Sequence, residues 1–231
     1  YDLMFPVLTK EENEVLSQQL HDICQQITNL PNTRPDLSDD VLITGDNGFY
    51  NILGISGGVN FKSYLEGLYA NVTNNQVPRA SNLQTLNAIT SYSFNWKDFD
   101  TSYKQEESNA FYHVNKIHDY ISKPVLEYDE MDNLRMNVVV NRPAYCNAFY
   151  SYIQDSITRN IISESLNFYS AGNGCESTAL DTSVIYHEYG HGITHHLITV
   201  SWPYICETGN MNEGLSDYWS CTSLDDPCNG R

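Results

Sequence analysis

Residues 184–197, VIYHEYGHGITHHL, hold four of the seven histidines in the chain, and their spacing limits what the surrounding polypeptide can be. Written as a helix, the segment puts His187 and His191 one turn apart on one face, close enough for both imidazoles to reach a single metal ion. Glu188 follows His187 directly, so its carboxylate reaches a water beside the ion and not the ion itself. Val184, Ile185, Tyr189, Ile193 and Leu197 give the helix its apolar surface. Gly190 and Gly192 each lower helix propensity by roughly 1 kcal/mol against alanine, so close packing of another element or of a substrate is expected to offset them. His195 lies about 12 Å beyond His187 along a straight helix and is excluded as a ligand of the same ion. His196 points another way again, and both are expected to support the ligands from behind or to face solvent. A third histidine ten residues after the first is also excluded, because that position is Leu197.

A catalytic zinc takes three protein ligands and keeps one position open, so another segment has to supply the third. NMNEGLSDYWS, residues 210–220, places Glu213 and Asp217 four apart on a second expected helix, where both can face the first. Glu213 can complete the ligand set. Asp217 can accept a hydrogen bond from the far nitrogen of a histidine ligand, fixing its tautomer and raising its basicity. H-E-x-x-H is the zinc protease motif, and two correctly spaced pairs in one chain are far rarer by chance than one. The competing reading makes Glu213 and Asp217 cap or surface carboxylates of an amphipathic helix.

Composition narrows the class further. A chain of 231 residues can bury a real core, as one large domain or two lobes across a cleft. With 41% hydrophobic and 12% aromatic residues it has the apolar surface that a disordered chain lacks. The 17 tyrosines suit a surface and cleft that are apolar on one side and hydrogen-bonding on the other. The formal charge of -17, from 29 acidic and 12 basic residues, argues against nucleic acid and anionic lipid as partners. No apolar run is long enough to span a bilayer. The N-terminal YDLMFPVLTK has neither an initiating methionine nor the pattern of a signal peptide, and it reads as a processed N-terminus, which an expression fragment would also match. Cysteines 24, 146, 175, 206, 221 and 228 include no C-x-x-C pair. They read as up to three disulfides, with fifteen connectivities open, and so as an oxidising, secreted setting. NVT at Asn71 is a candidate glycosylation acceptor.

Along the chain, residues 11–30 have helical spacing and end at LPNTRP, and His21 reads as a half-exposed helix residue. Residues 36–60 are turns and short strands without the lysine of a phosphate loop. SYSFNW, 91–96, reads as a strand. NAFYHVNKIHDYI, 109–121, reads as a helix with Phe111, Val114, Ile117 and Ile121 in a stripe. Its His113 and His118 stand roughly 140° apart and are expected to pack or hydrogen-bond, not to share an ion. LRMNVVVN, 134–141, is the clearest strand, with Pro143 placing its end at an edge or turn. A helical or mixed stretch is expected up to about 165, followed by LNFYSAGNG, a strand running into a tight turn.

With these residues in hand, the chain resembles the gluzincin metalloendopeptidases of the thermolysin and fungalysin type. HEYGH is similar to their first zinc helix and NEGLSD to the second, and YICETGNMNEGLSD, 204–217, is similar to the stretch between. NAFY at 147–150 resembles their edge segment, and NAFYHVNKIHDYI a helix of the fungalysin branch, so the likeness runs over about 109–219. The resemblance implies an α+β, zincin-like fold: a mixed N-terminal lobe carrying the active-site helix and the start of a helical C-terminal lobe. By region it implies a β-rich part of the peptidase lobe over 1–108, a strand and helix core over 109–197, and the incomplete helical lobe over 198–231. It further implies Tyr204 as an oxyanion-stabilising catalytic residue and Asn147 and Ala148 as binders of substrate backbone. It also implies a removed propeptide and a C-terminal lobe that completes the cleft, carrying a second transition-state histidine and a substrate arginine. The chain stops at Arg231 before such a lobe, so a catalytic-lobe fragment or a separate segment is expected. Calcium is a family cofactor, but the aspartate expected four residues before His187 is Ser183 here, with Asp181 displaced by two.

The expected activity is that of a zinc-dependent endopeptidase: zinc on His187, His191 and Glu213, with Glu188 as proton carrier. A zinc aminopeptidase and a non-catalytic module stabilised by zinc are the rival readings. A serine hydrolase is disfavoured by the absence of G-x-S-x-G.

Overall fold

A computed structural model describes residues 59–86, 104–122, 131, 135–158, 160–197 and 206–225. The expected helix at 11–30, the strand at 91–96, nearly all of the 36–60 segment and Tyr204 lie outside them. The chain forms two compact units, Tyr1–Val59 with Thr85–Thr90 and Asn60–Gln84 with Ser91–Arg231; the second holds the metal-ligand motifs.

The strands are β1 (Val59–Tyr64), β2 (Ala70–Asn74), β3 (Ser81–Leu86), β4 (Met136–Arg142), β5 (Ala148–Gln154) and β6 (Ile161–Tyr169), and the helices α1 (Gln105–Ser122), α2 (Thr182–Leu197) and α3 (Cys206–Leu224). β1 pairs with β3, and a four-stranded sheet runs β2-β4-β6-β5. β2, β4 and β6 are parallel, which requires crossovers, whereas β5 is antiparallel to β6. Val72, Val138, Leu166 and Tyr150 fall on one row across the sheet. The first three are fully buried, and β4 is an interior strand of the sheet, as suits its near-continuous apolar run. Its end does lead into a turn, with Ala144 N–H donating to the Arg142 carbonyl at 2.7 Å. This is a mixed α/β lobe with flanking helices that carry the H-E-x-x-H site, an α+β, zincin-like arrangement.

The stretch from 148 to 165, expected as helical or mixed, is a β-hairpin. Its residues are aromatic and β-branched, which favours a pleated surface. Asp155 makes the turn by accepting from the backbone N–H groups of Ile157 at 2.9 Å and Thr158 at 2.6 Å. The period-2 signal is weak because β5 lies at the end of the sheet order and exposes Tyr152 and the neighbouring Ile153.

α1 forms over the expected stripe, with Val114, Ile117 and Ile121 buried and Phe111 packed beside them. It holds the start of α2 in two ways. Asn109 Nδ2 donates to the Ala179 carbonyl at 2.9 Å, and His113 stands 3.2 Å from both the Thr182 hydroxyl and the Tyr186 hydroxyl. Burial pushes the pKa of His113 down to about 4, so the ring bridges as a neutral group. His118 is buried and stacked on Tyr69 at 3.5 Å.

Candidate metal centre

α2 begins where Asp181 caps it: one carboxylate oxygen accepts from the backbone N–H of Ser183 at 2.9 Å and from the Ser183 hydroxyl at 2.7 Å. A carboxylate there satisfies open N–H groups and faces the positive end of the helix dipole. Ile185, Tyr189 and Ile193 are buried as the spacing requires, while Leu197 at the helix end is half exposed.

The two glycines of the helix have separate reasons. A Cβ on Gly190 would stand 2.9 Å from the Ser216 Cα, so glycine lets α3 cross α2 at backbone distance. A Cβ on Gly192 would meet the ring of Tyr150 at 3.4 Å, beside Met131 and Met136. The first contact fixes the register that brings α3 side chains onto the histidines.

His187 Nε2 lies 3.1 Å and His191 Nε2 3.6 Å from Glu213 Oε2. The three ligand atoms fall within 4.8 Å of one another, the only such cluster of three or more among the described residues. The two rings are perpendicular, with centroids 4.8 Å apart. Tetrahedral zinc with bonds near 2.0–2.1 Å separates its ligand atoms by about 3.3 Å, a value that the two histidine-to-Glu213 separations bracket. The opposite nitrogens are engaged as well. His187 Nδ1 is 2.8 Å from Asp217 Oδ1, and His191 Nδ1 is 2.9 Å from the Ser216 hydroxyl. Both rings therefore present Nε2 to the cluster. Burial lowers the pKa of His191, favouring the neutral ring that binds metals. Glu213 keeps 63% of its side-chain surface, so the cluster is open on its α3 side.

Glu188 is 6% exposed, and burial raises its pKa to about 7, with the neighbouring Glu213 charge acting in the same sense. The Tyr150 backbone N–H points at the Glu188 carboxylate, so β5 reaches the metal helix directly. Beside His187 and Glu188 opens a cavity of ≈ 270 Å³ that Asn147, Ala148 and Val184 also line. Cys146 stands at its rim, and its disulfide to Cys175 ties the approach to β5 to the turn after β6. In that turn Gly172 has φ 153°, and a Cβ there would strike the Tyr145 ring at 2.4 Å. Of the other cysteines, Cys221 is a free thiol, while Cys24 and Cys228 lie outside the described residues.

The sites read from sequence thus sort by position. His187, His191, Glu213, Asp217 and Glu188 come together, with Asn147 and Ala148 at the same cavity. Asn71 is partly buried within β2, on the far side of the sheet order from β5. Ser216, Tyr150 and Glu164 were not singled out in the sequence. Ser216 was findable, since it stands three residues after Glu213 on the same helix face. His195 and His196 neither bind the cluster nor face open solvent: they engage Tyr150 and Glu164 at the C-terminal end of α2.

Neither a family model nor a curated protein matches the chain. Among solved structures it is similar to a precursor of protealysin, a metalloproteinase from Serratia proteamaculans, at 14% identity and a TM-score of 0.44. That likeness covers 76% of this chain and 48% of the other, so the chain spans about half the length of the structure it matches. The residues themselves make the firmer statement: this chain carries a gluzincin-type zinc metalloprotease motif, His187-Glu188-x-x-His191 with a distal Glu213.

Proposed function

We propose that the protein is a zinc-dependent endopeptidase. The observation that carries this reading is the convergence of His187, His191 and Glu213 beside a buried carboxylate, Glu188, that is not a ligand. Bound there, zinc supplies Lewis-acid polarisation of a carbonyl and acidifies a water. Glu188 takes a proton from the attacking water and passes it to the leaving amine, a role suited to a carboxyl whose pKa is raised to about 7. Asp217 holds His187 in the tautomer that leaves Nε2 free. Asn147 and Ala148 bind the substrate backbone along the end of the sheet, and Tyr204 serves the oxyanion. A C-terminal segment completing the cleft, a removed propeptide, secretion and glycosylation at Asn71 belong to the same reading. Secretion is supported by the disulfide.

Glu188→Gln is expected to keep zinc at one equivalent and to lose hydrolysis of a terminally blocked peptide by at least about a hundredfold. Full activity with zinc retained rejects Glu188 as the proton carrier. Cleavage restricted to peptides with a free amino terminus would favour the aminopeptidase. Stoichiometric zinc without cleavage of any peptide would favour the non-catalytic module.

A further inference from the structure

Tyr150 joins the metal helix to a second polar cluster that the proposed chemistry does not use. Its backbone N–H points at the Glu188 carboxylate. Its ring lies over Gly192, where a side chain would meet it at 3.4 Å. Its hydroxyl donates to Glu164 Oε1 and stands 3.2 Å from His195 Nδ1. Glu164, on the neighbouring strand, is 1% exposed, and its Oε1 is also 3.0 Å from His196 Nε2. The other oxygen, Oε2, is enclosed and has no hydrogen-bond partner. A carboxylate buried this deeply is costly, and an apolar residue would pack the same strand position more cheaply. The cluster grips both ends of one short path: His195 and His196 belong to α2, Glu164 belongs to β6, and Tyr150 sits between them on β5.

We propose that Tyr150 is a positioning residue for Glu188, and that Glu164 with His195 is the anchor that holds it. Side-chain bonds at the hydroxyl fix the ring across Gly192, the ring fixes the height of β5 over α2, and that height sets the N–H that orients the Glu188 carboxylate. The anchor acts on the proton carrier through the strand and touches neither the metal ligands nor a substrate. This inference rests on the peptidase reading for its kinetic consequence, though not for its geometry.

The test compares Tyr150→Phe, which removes only the hydroxyl, with Glu164→Leu and Glu164→Gln in the zinc-loaded full chain on a terminally blocked peptide. Tyr150→Phe and Glu164→Leu are expected to lower kcat about tenfold while KM stays within about twofold and zinc content is unchanged. Glu164→Gln, which keeps an acceptor for the hydroxyl, recovers most of the loss. In uniformly ¹⁵N-labelled protein, the amide of residue 150 exchanges with solvent about tenfold faster in Tyr150→Phe, whereas the β4 amides do not change. An unchanged kcat, a loss confined to KM, or a loss that follows zinc release would overturn the proposal. If the zinc-loaded wild type cleaves no peptide, the peptidase reading fails, and the amide exchange alone then decides the positioning role: unaltered exchange at residue 150 sinks it.

Discussion

Glu188 carries the sharpest residue-scale consequence, because its burial separates its folded behaviour from its unfolded one. Its pKa rises from 4.5 to about 7 on folding. Between those values the folded metal-free protein retains a proton that the unfolded chain has lost, so stability falls as pH rises through that window. Glu188→Gln removes the penalty. In metal-free protein it should therefore add roughly 2–3 kcal/mol at pH 8 and nothing at pH 4, as thermal unfolding at the two pH values would show. Asp217 acts on a different quantity. Its 2.8 Å contact lies on the side of His187 turned away from the cluster. Asp217→Ala should weaken zinc binding about 10- to 100-fold, measured by competition with a chromophoric chelator.

At the scale of the elements, the metal centre depends on two helices touching where one has no side chain. Gly190→Ala sets a methyl group 2.9 Å from the Ser216 Cα and should destabilise the fold by about 1–3 kcal/mol while reducing zinc affinity. Gly214→Ala is the control: nothing lies within 4 Å, so it should be neutral or stabilise by up to about 1 kcal/mol. Denaturant midpoints with and without zinc distinguish the two. Much of this was readable beforehand. The i, i+4 spacings of His187 with His191 and of Glu213 with Asp217 dictate a shared face, and the glycines signalled a close approach without naming the partner. The end of β6 was read from LNFYSAGNG, but β5 and the first half of β6 were not readable. Their alternation is broken because one strand ends the sheet and exposes large apolar groups, and periodicity cannot register a face that is only half covered. Glu164 was illegible for a related reason: a lone acidic residue in SES reads as surface until a distant histidine and tyrosine are brought to it.

At the scale of the whole molecule, long-range ties among the described residues hold distant parts of the chain to the metal centre. Cys146–Cys175 closes a loop of sequence separation 29 at the mouth of the cavity. Replacing both with serine should cost about 3–4 kcal/mol in urea denaturation at constant zinc. The helix crossing carries a further consequence, for how such a chain can change over time. The atom that obstructs a larger residue at 190 is main chain, and no replacement at 216 can withdraw it. A damaged variant at 190 is therefore not rescued by its nearest neighbour. Suppressors would have to displace an entire helix, and screens for second-site revertants should recover them in the packing beneath α2 and α3 instead of at their point of contact.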